Sequence, residues 1–166
     1  MMPSRTFEDL SLGEARRSQS RTITQDEIIS FAKLYDPQWF HADAELAKAS
    51  VFGGVVASGI HVLALWRQMD HDINSDIDFV CGVGFDDMRL KKALRPGDTI
   101  HVTSEIIDLK PSSSGKQRGT ARTLYKVINQ HDEELASFIS INLVYTRAGR
   151  ERTSRERASA SASASV

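Results

Sequence analysis

The sequence predicts an α+β fold: a single domain in which an antiparallel sheet wraps around one central apolar helix. Three observations predict it. From Ile60 to Met69 the residues Ile60, Val62, Leu63, Ala64, Leu65, Trp66 and Met69 leave hardly any polar face, so this helix belongs inside the molecule. Four later stretches, Asp78–Met88, Asp98–Leu109, Gln117–Asn129 and Leu135–Tyr145, have strand-like composition and are joined by short turns, which makes them an antiparallel meander. With 166 residues, 40% of them hydrophobic, the chain has enough material for one core. A helix followed by a meander then implies a sheet curled around that helix.

Composition narrows the function classes. Lys and Arg number 21 against 22 Asp and Glu, so nothing draws the whole chain toward nucleic acid or an acidic membrane. Cys81 is the only cysteine, which excludes an intrachain disulfide and a Cys-rich zinc site. The N-terminus has no apolar signal core, and no stretch approaches the roughly 18 apolar residues of a membrane span. A cytoplasmic, soluble protein is expected.

In chain order, Met1–Glu14 reads as an extended lead-in and Arg16–Thr24 as a first strand. Thr24-Gln-Asp-Glu27 is a capping box, and Ile28, Phe31, Ala32 and Tyr35 follow at helical spacing, so an amphipathic helix starts there. Pro37 stops it near Tyr35 and leaves Asp36 at the helix exit. Asp43 is a suitable N-cap for a short helix of Ala44–Lys48, which places His41 on the connector between the two helices. Phe52-Gly53-Gly54 is a turn, and Ser58-Gly59 opens the apolar helix with unpaired N–H groups and the positive end of its dipole. Arg95-Pro96-Gly97-Asp98, Lys110–Gly115 and Asn129–Glu133 mark turns between strands. From Ala148 the chain is charged, then an Ala-Ser repeat, and a disordered tail over 148–166 is expected beyond a domain of 1–147.

The candidate chemistry centres on Asp36 and His41, an acid and an imidazole five residues apart on a constrained connector that leads to the Gly59 helix start. The plainer alternative makes Asp36 a helix terminator and His41 a satisfied histidine. His61, in the first helical turn, either lines the same pocket or packs as a core residue. Ser58 lacks the Gly-x-Ser-x-Gly elbow of a nucleophile, and helix capping explains it. His71, His101 and His131 read as structural or solvent-facing, and no spacing suggests a metal. Arg89, Lys91, Lys92 and Arg95 are either a solvated strand end or a contact for the phosphates of a carrier.

The run Tyr35-Asp-Pro-Gln-Trp-Phe-His41, with Phe52-Gly-Gly-Val-Val-Ala-Ser-Gly59 after it, resembles the MaoC-like dehydratases, the family of (R)-specific enoyl-CoA hydratases. The likeness extends over Thr6–Tyr145 and implies the hotdog fold, in which an antiparallel sheet wraps a central helix. It assigns Asp36 and His41 as the catalytic pair and the Gly59 amide as the receiver of the thioester carbonyl; Ser58 and His61, beside Gly59 in the chain, are the further candidates for the oxyanion and substrate-binding site. The pattern departs at Tyr35, Gln38, Trp39 and Phe40, and Arg67 stands where family enzymes carry a supporting serine.

The resemblance implies reversible hydration of a 2-enoyl-CoA, as in fatty acid metabolism, with no metal or redox cofactor and an acyl-CoA as the small-molecule partner. Trp39, Phe40, Phe52 and Trp66 are the candidate acyl-pocket residues. A homodimer or larger homo-oligomer is implied, because family sites lie between subunits. Two other classes stay open: a hotdog thioesterase, and a non-catalytic acyl-CoA binding or partner protein, the latter motivated by Arg67 and the altered Gln38-Trp39-Phe40.

Overall fold

The computed structural model describes residues 3–113, 115 and 117–163. Helix α1, Gln25–Tyr35, begins at the expected capping box: the Thr24 hydroxyl accepts from the Glu27 amide at 3.2 Å and the Glu27 carboxylate accepts from the Thr24 amide at 3.0 Å. It buries Ile28 and Ala32, and Asp36 closes it by donating its amide to the Ala32 carbonyl at 2.9 Å. Two single-turn helices follow, α2 (Trp39–Ala42) and α3 (Ala44–Ala47). Asp43 caps α3 as expected, accepting from the Glu45 and Leu46 amides, both at 2.9 Å. His41 was expected on a loop; it sits in α2, because the His41 and Ala42 amides fold back onto the Gln38 carbonyl.

Helix α4, Gly59–Asn74, is the centre of the fold. Its buried face, Val62, Leu65, Trp66 and Met69, packs with Ile100, Val102, Tyr125, Val127 and Phe138 of the sheet in one core. The strands are β1 (Ala15–Arg17), β2 (Arg21–Thr22), β3 (Phe79–Leu90), β4 (Thr99–Pro111), β5 (Arg118–Ile128) and β6 (Glu134–Tyr145). Every pair is antiparallel, in the order β1-β4-β5-β6-β3, with β2 also on β4. This is the expected antiparallel sheet around a central helix.

Three details differ from expectation. The first strand is two short pieces, because the backbone between them turns Ser18 onto β4, where its hydroxyl accepts from the Val102 amide at 2.9 Å. Only β4, β5 and β6 form a meander; β3 crosses to the far side and pairs with β6. The tail expected to be disordered is a helix, α5, over Arg147–Ser163. Its Ala, Arg and Glu residues are strong helix formers, and its start is tied down where Arg147 pairs with Asp9 and Arg150 with Asp78. Residues 164–166 of the Ala-Ser repeat, Met1 and Met2 of the lead-in and Ser114 of the Lys110–Gly115 turn lie outside the described residues. The rest of the lead-in includes a short 3-10 turn, Phe7–Asp9.

Candidate active site

The site is built where α1, α2 and α4 converge. His41 is buried, 7% exposed, and its Nδ1 lies 2.6 Å from the Val56 carbonyl oxygen. A carbonyl only accepts, so Nδ1 carries the proton, and in the neutral form of the ring the lone pair is on Nε2. That Nε2 faces the Asp36 carboxylate, with 4.0 Å to Oδ2. The other carboxylate oxygen, Oδ1, accepts from the Gln38 side-chain amide at 3.2 Å. Asp36 and His41 are thus brought together, each held from behind by a neighbour.

Beside them runs a groove of about 320 Å³ whose walls include Phe40, His41, Phe52, Gly59, Val62 and Leu90. Asp36 does not line this groove and meets it only through His41. At the end of the groove α4 begins. The Ser58 hydroxyl and carbonyl both accept from the His61 amide, at 3.3 and 3.0 Å, which makes Ser58 a capping residue. The amides of Gly59 and Ile60 come before any intrahelical acceptor and stand at the positive end of the helix dipole. Gly59 leaves room for Leu90: a β-carbon there would lie 2.4 Å from its Cδ1, and that side chain would have to move.

The remaining candidates divide. Phe40 and Phe52 lie in the groove wall with ring centroids 5.5 Å apart. Trp39 meets Phe40 edge-on from the surface. Trp66 lies away from the groove, among Tyr125 and Phe138 in the core. His61 is buried on another side of α4, stacked at 4.2 Å on Phe31, and lines a depression with Arg21 and Tyr35. Burial holds its pKa below the ordinary histidine value. The structure therefore does not bring His61 to His41.

Arg67 pairs at 2.5 Å with Asp70, a carboxylate buried to 1% exposure that also accepts from the Tyr125 hydroxyl at 2.7 Å and the Asn74 amide at 2.8 Å. Of the basic cluster, Lys91 and Lys92 line the groove and pair with Glu134 and Glu133, while Arg95 donates to the Phe52 carbonyl at 3.0 Å. Among the described residues no group of three or more His, Cys, Asp or Glu side chains comes together as a metal site. No helix of the described residues is long and apolar enough to cross a membrane. Sequence reasoning missed Gln38 and Val56 as the groups that orient the pair, and Leu90 as the side chain over Gly59. The contact of Gln38 with Asp36, two residues away, is the one local spacing could have suggested.

A hotdog sheet around a central helix, with this Asp-His pair beside its first turn, defines a class of protein, and comparison specifies the family. A family model described as MaoC like domain matches residues 9–130, and the chain belongs to that family. It is 30% identical over 132 residues to 3-hydroxyacyl-thioester dehydratase Z of Mycobacterium tuberculosis, covering 74% of this chain and 87% of that protein. The crystal structure of the MaoC-like dehydratase from Rhodospirillum rubrum superposes with a TM-score of 0.78 at 29% identity, covering 87% of this chain and 99% of that one. A conserved hypothetical protein from Mycobacterium tuberculosis with a double hotdog fold shares the fold at a TM-score of 0.69 and 16% identity, covering 86% of this chain and 44% of that one.

Proposed function

We propose that this chain adds water reversibly to 2-enoyl-CoA thioesters, giving (R)-3-hydroxyacyl-CoA, with Asp36 and His41 as its acid/base pair. The observation that carries the proposal is the 4.0 Å gap between His41 Nε2 and Asp36 Oδ2, together with the Val56 carbonyl on Nδ1. The gap is too long for a direct hydrogen bond and suits a water that donates one proton to each. Such a water presents its lone pair to C3 of the enoyl group. The pair takes one proton from it and delivers one to C2, so the addition is redox-neutral and needs no metal or redox cofactor. As the C3–O bond forms, negative charge develops on the thioester oxygen, and the Gly59 and Ile60 amides supply donors and the helix dipole for it.

The name of the dehydratase relative supports thioester chemistry of this type. So does a further relative named mesaconyl-CoA hydratase, 28% identical, of which the chain spans 42%. We further propose a homodimer in the cytoplasm: β3 ends the sheet with an unpaired edge, and its Val83 and Phe85 are about half exposed.

Loss of the enoyl-thioester absorbance of crotonyl-CoA tests the reading. Wild type is expected to consume it, and Asp36→Asn and His41→Ala to lose about 10²-fold or more in rate while remaining folded. Release of free thiol with the double bond intact would select the thioesterase. Saturable binding with no turnover would select the non-catalytic acyl-CoA binding protein.

A further inference from the structure

Strand β3 carries one residue too many near its end. Asp86 faces Ile139 and Arg89 faces Ser137, three steps along β3 against two along β6. Within that interval Asp87 takes the left-handed region, φ 50°, so the interval is a β-bulge. Because side chains alternate between faces along a strand, one inserted residue reverses the face of everything beyond it. Before the bulge, Phe85 faces inward, edge-on to Trp66 at 5.7 Å and Phe138 at 5.5 Å. Strict alternation from Phe85 would bury Asp87 and Arg89 and turn Leu90 outward. With the bulge, Met88 packs against the core, Arg89 is exposed, and Leu90, opposite buried Ala136, enters the groove beside His41 and Gly59.

The backbone just beyond Leu90 is fixed, since the Lys91 and Lys92 amides both donate to the Leu135 carbonyl, at 2.8 and 3.3 Å. Leu90 is 56% exposed, and its Cδ1 lies 2.4 Å from where a β-carbon on Gly59 would be. We infer that Leu90, aimed by the bulge at Asp87, is a specificity-determining residue that excludes branching at C2 of the acyl group. The inference rests on the proposed binding of a thioester carbonyl at the start of α4. A carbonyl received by those amides brings C2 beside the isobutyl group, where a hydrogen fits and a methyl competes with Cδ1.

The test is calorimetric binding of butyryl-CoA and 2-methylbutyryl-CoA, which cannot be hydrated, to wild type and Leu90→Ala. Wild type is expected to favour butyryl-CoA. Leu90→Ala is expected to narrow that preference by about tenfold, the scale of a methyl or methylene in an apolar pocket. Leu90→Phe is expected to widen it, and Asp87→Gly, which tolerates the positive φ, to leave it unchanged. A ratio that stays the same in Leu90→Ala overturns the inference, as does failure of wild type to bind either thioester. If the ratio moves as stated but crotonyl-CoA is not hydrated, the hydratase reading fails and the role of Leu90 stands.

Discussion

The Nδ1 atom of His41 lies 2.6 Å from the carbonyl oxygen of Val56, a residue fifteen positions later in the chain. This bond selects the tautomer and aims Nε2 at Asp36. Its partner is backbone, so no substitution at Val56 removes it directly, and the ring must be changed instead. His41→Gln keeps a polar side chain without the base, and an about 10²-fold or larger fall in hydration is expected. Circular dichroism should report an unchanged fold, because the groove tolerates the volume. Hydration at the wild-type rate would remove His41 from the mechanism.

Gln38 makes a finer prediction. Its side-chain amide holds Asp36 Oδ1, leaving Oδ2 toward His41. Gln38→Ala frees the carboxylate to rotate, so kcat should fall by roughly tenfold with little change in KM, as for a group that positions without binding substrate. A change confined to KM would show that Gln38 contacts the substrate.

Much of the scaffold around these residues was legible because its signals are local. The Thr24–Glu27 box, the Asp43 cap, the Pro37 stop and the apolar stretch after Gly59 each act within a few residues. What escaped depends on contacts distant in sequence. From the sequence His61 either lines the pocket or packs in the core, and only the stacking of Phe31, from another helix, decides it. The Asp87 bulge has no Gly or Pro to announce it, and the register it sets is visible only against β6. The α5 segment looked disordered by charge and repetition, although its Ala, Arg and Glu residues individually favour helix.

Asp70 predicts the largest stability effect. It is buried with Arg67, Tyr125 and Asn74 all donating to it, and burial beside it pushes the Tyr125 hydroxyl pKa up. Asp70→Ala leaves those donors without their acceptor and opens space at the end of α4. Arg67 is half exposed and regains water, so urea unfolding should show a loss of about 1–3 kcal/mol, the cost of leaving the buried Tyr125 and Asn74 donors without this acceptor. Asp70→Asn, which keeps the shape and one acceptor, should lose clearly less.

Acid sensitivity should come in two steps. His61 is held below its ordinary value of 6.5 mainly by burial, with Arg21 adding to the shift and Glu27 opposing it. The unfolded chain therefore binds the proton first, and stability falls as pH drops below about 6.5 until the folded-state value is reached. His61→Phe, which retains the stack on Phe31, should flatten that step; His101, also shifted down by burial, preserves part of it. Carboxylates held down by their partners, Glu14 among them, give the second step. Bonded by Arg5 and Arg16, the Glu14 carboxyl is held down at about 2 against an ordinary 4.5, so its contribution is present above 4.5 and lost between there and about 2. Arg5→Met should therefore cost stability at pH 7 and little at pH 2. Equal costs at both would mean the ion pair is not the source.

Gly59 and Leu90 should be coupled. Ala at position 59 places its β-carbon 2.4 Å from Leu90 Cδ1, too close to coexist, and one of the two must yield. Leu90 is a half-exposed side chain rather than backbone, so it yields by changing rotamer, at about 0.5–1.5 kcal/mol if it is forced off a staggered well. Against this, Ala at the start of a helix is favoured over Gly by up to about 1 kcal/mol. The two effects nearly cancel, and Gly59→Ala alone should change stability little. In a Leu90→Ala background only the propensity gain remains, so Gly59→Ala should stabilise there. A double-mutant cycle by urea unfolding should therefore return a coupling of about 0.5–1.5 kcal/mol. Coupling near zero would mean that Leu90 does not rest on Gly59 in solution.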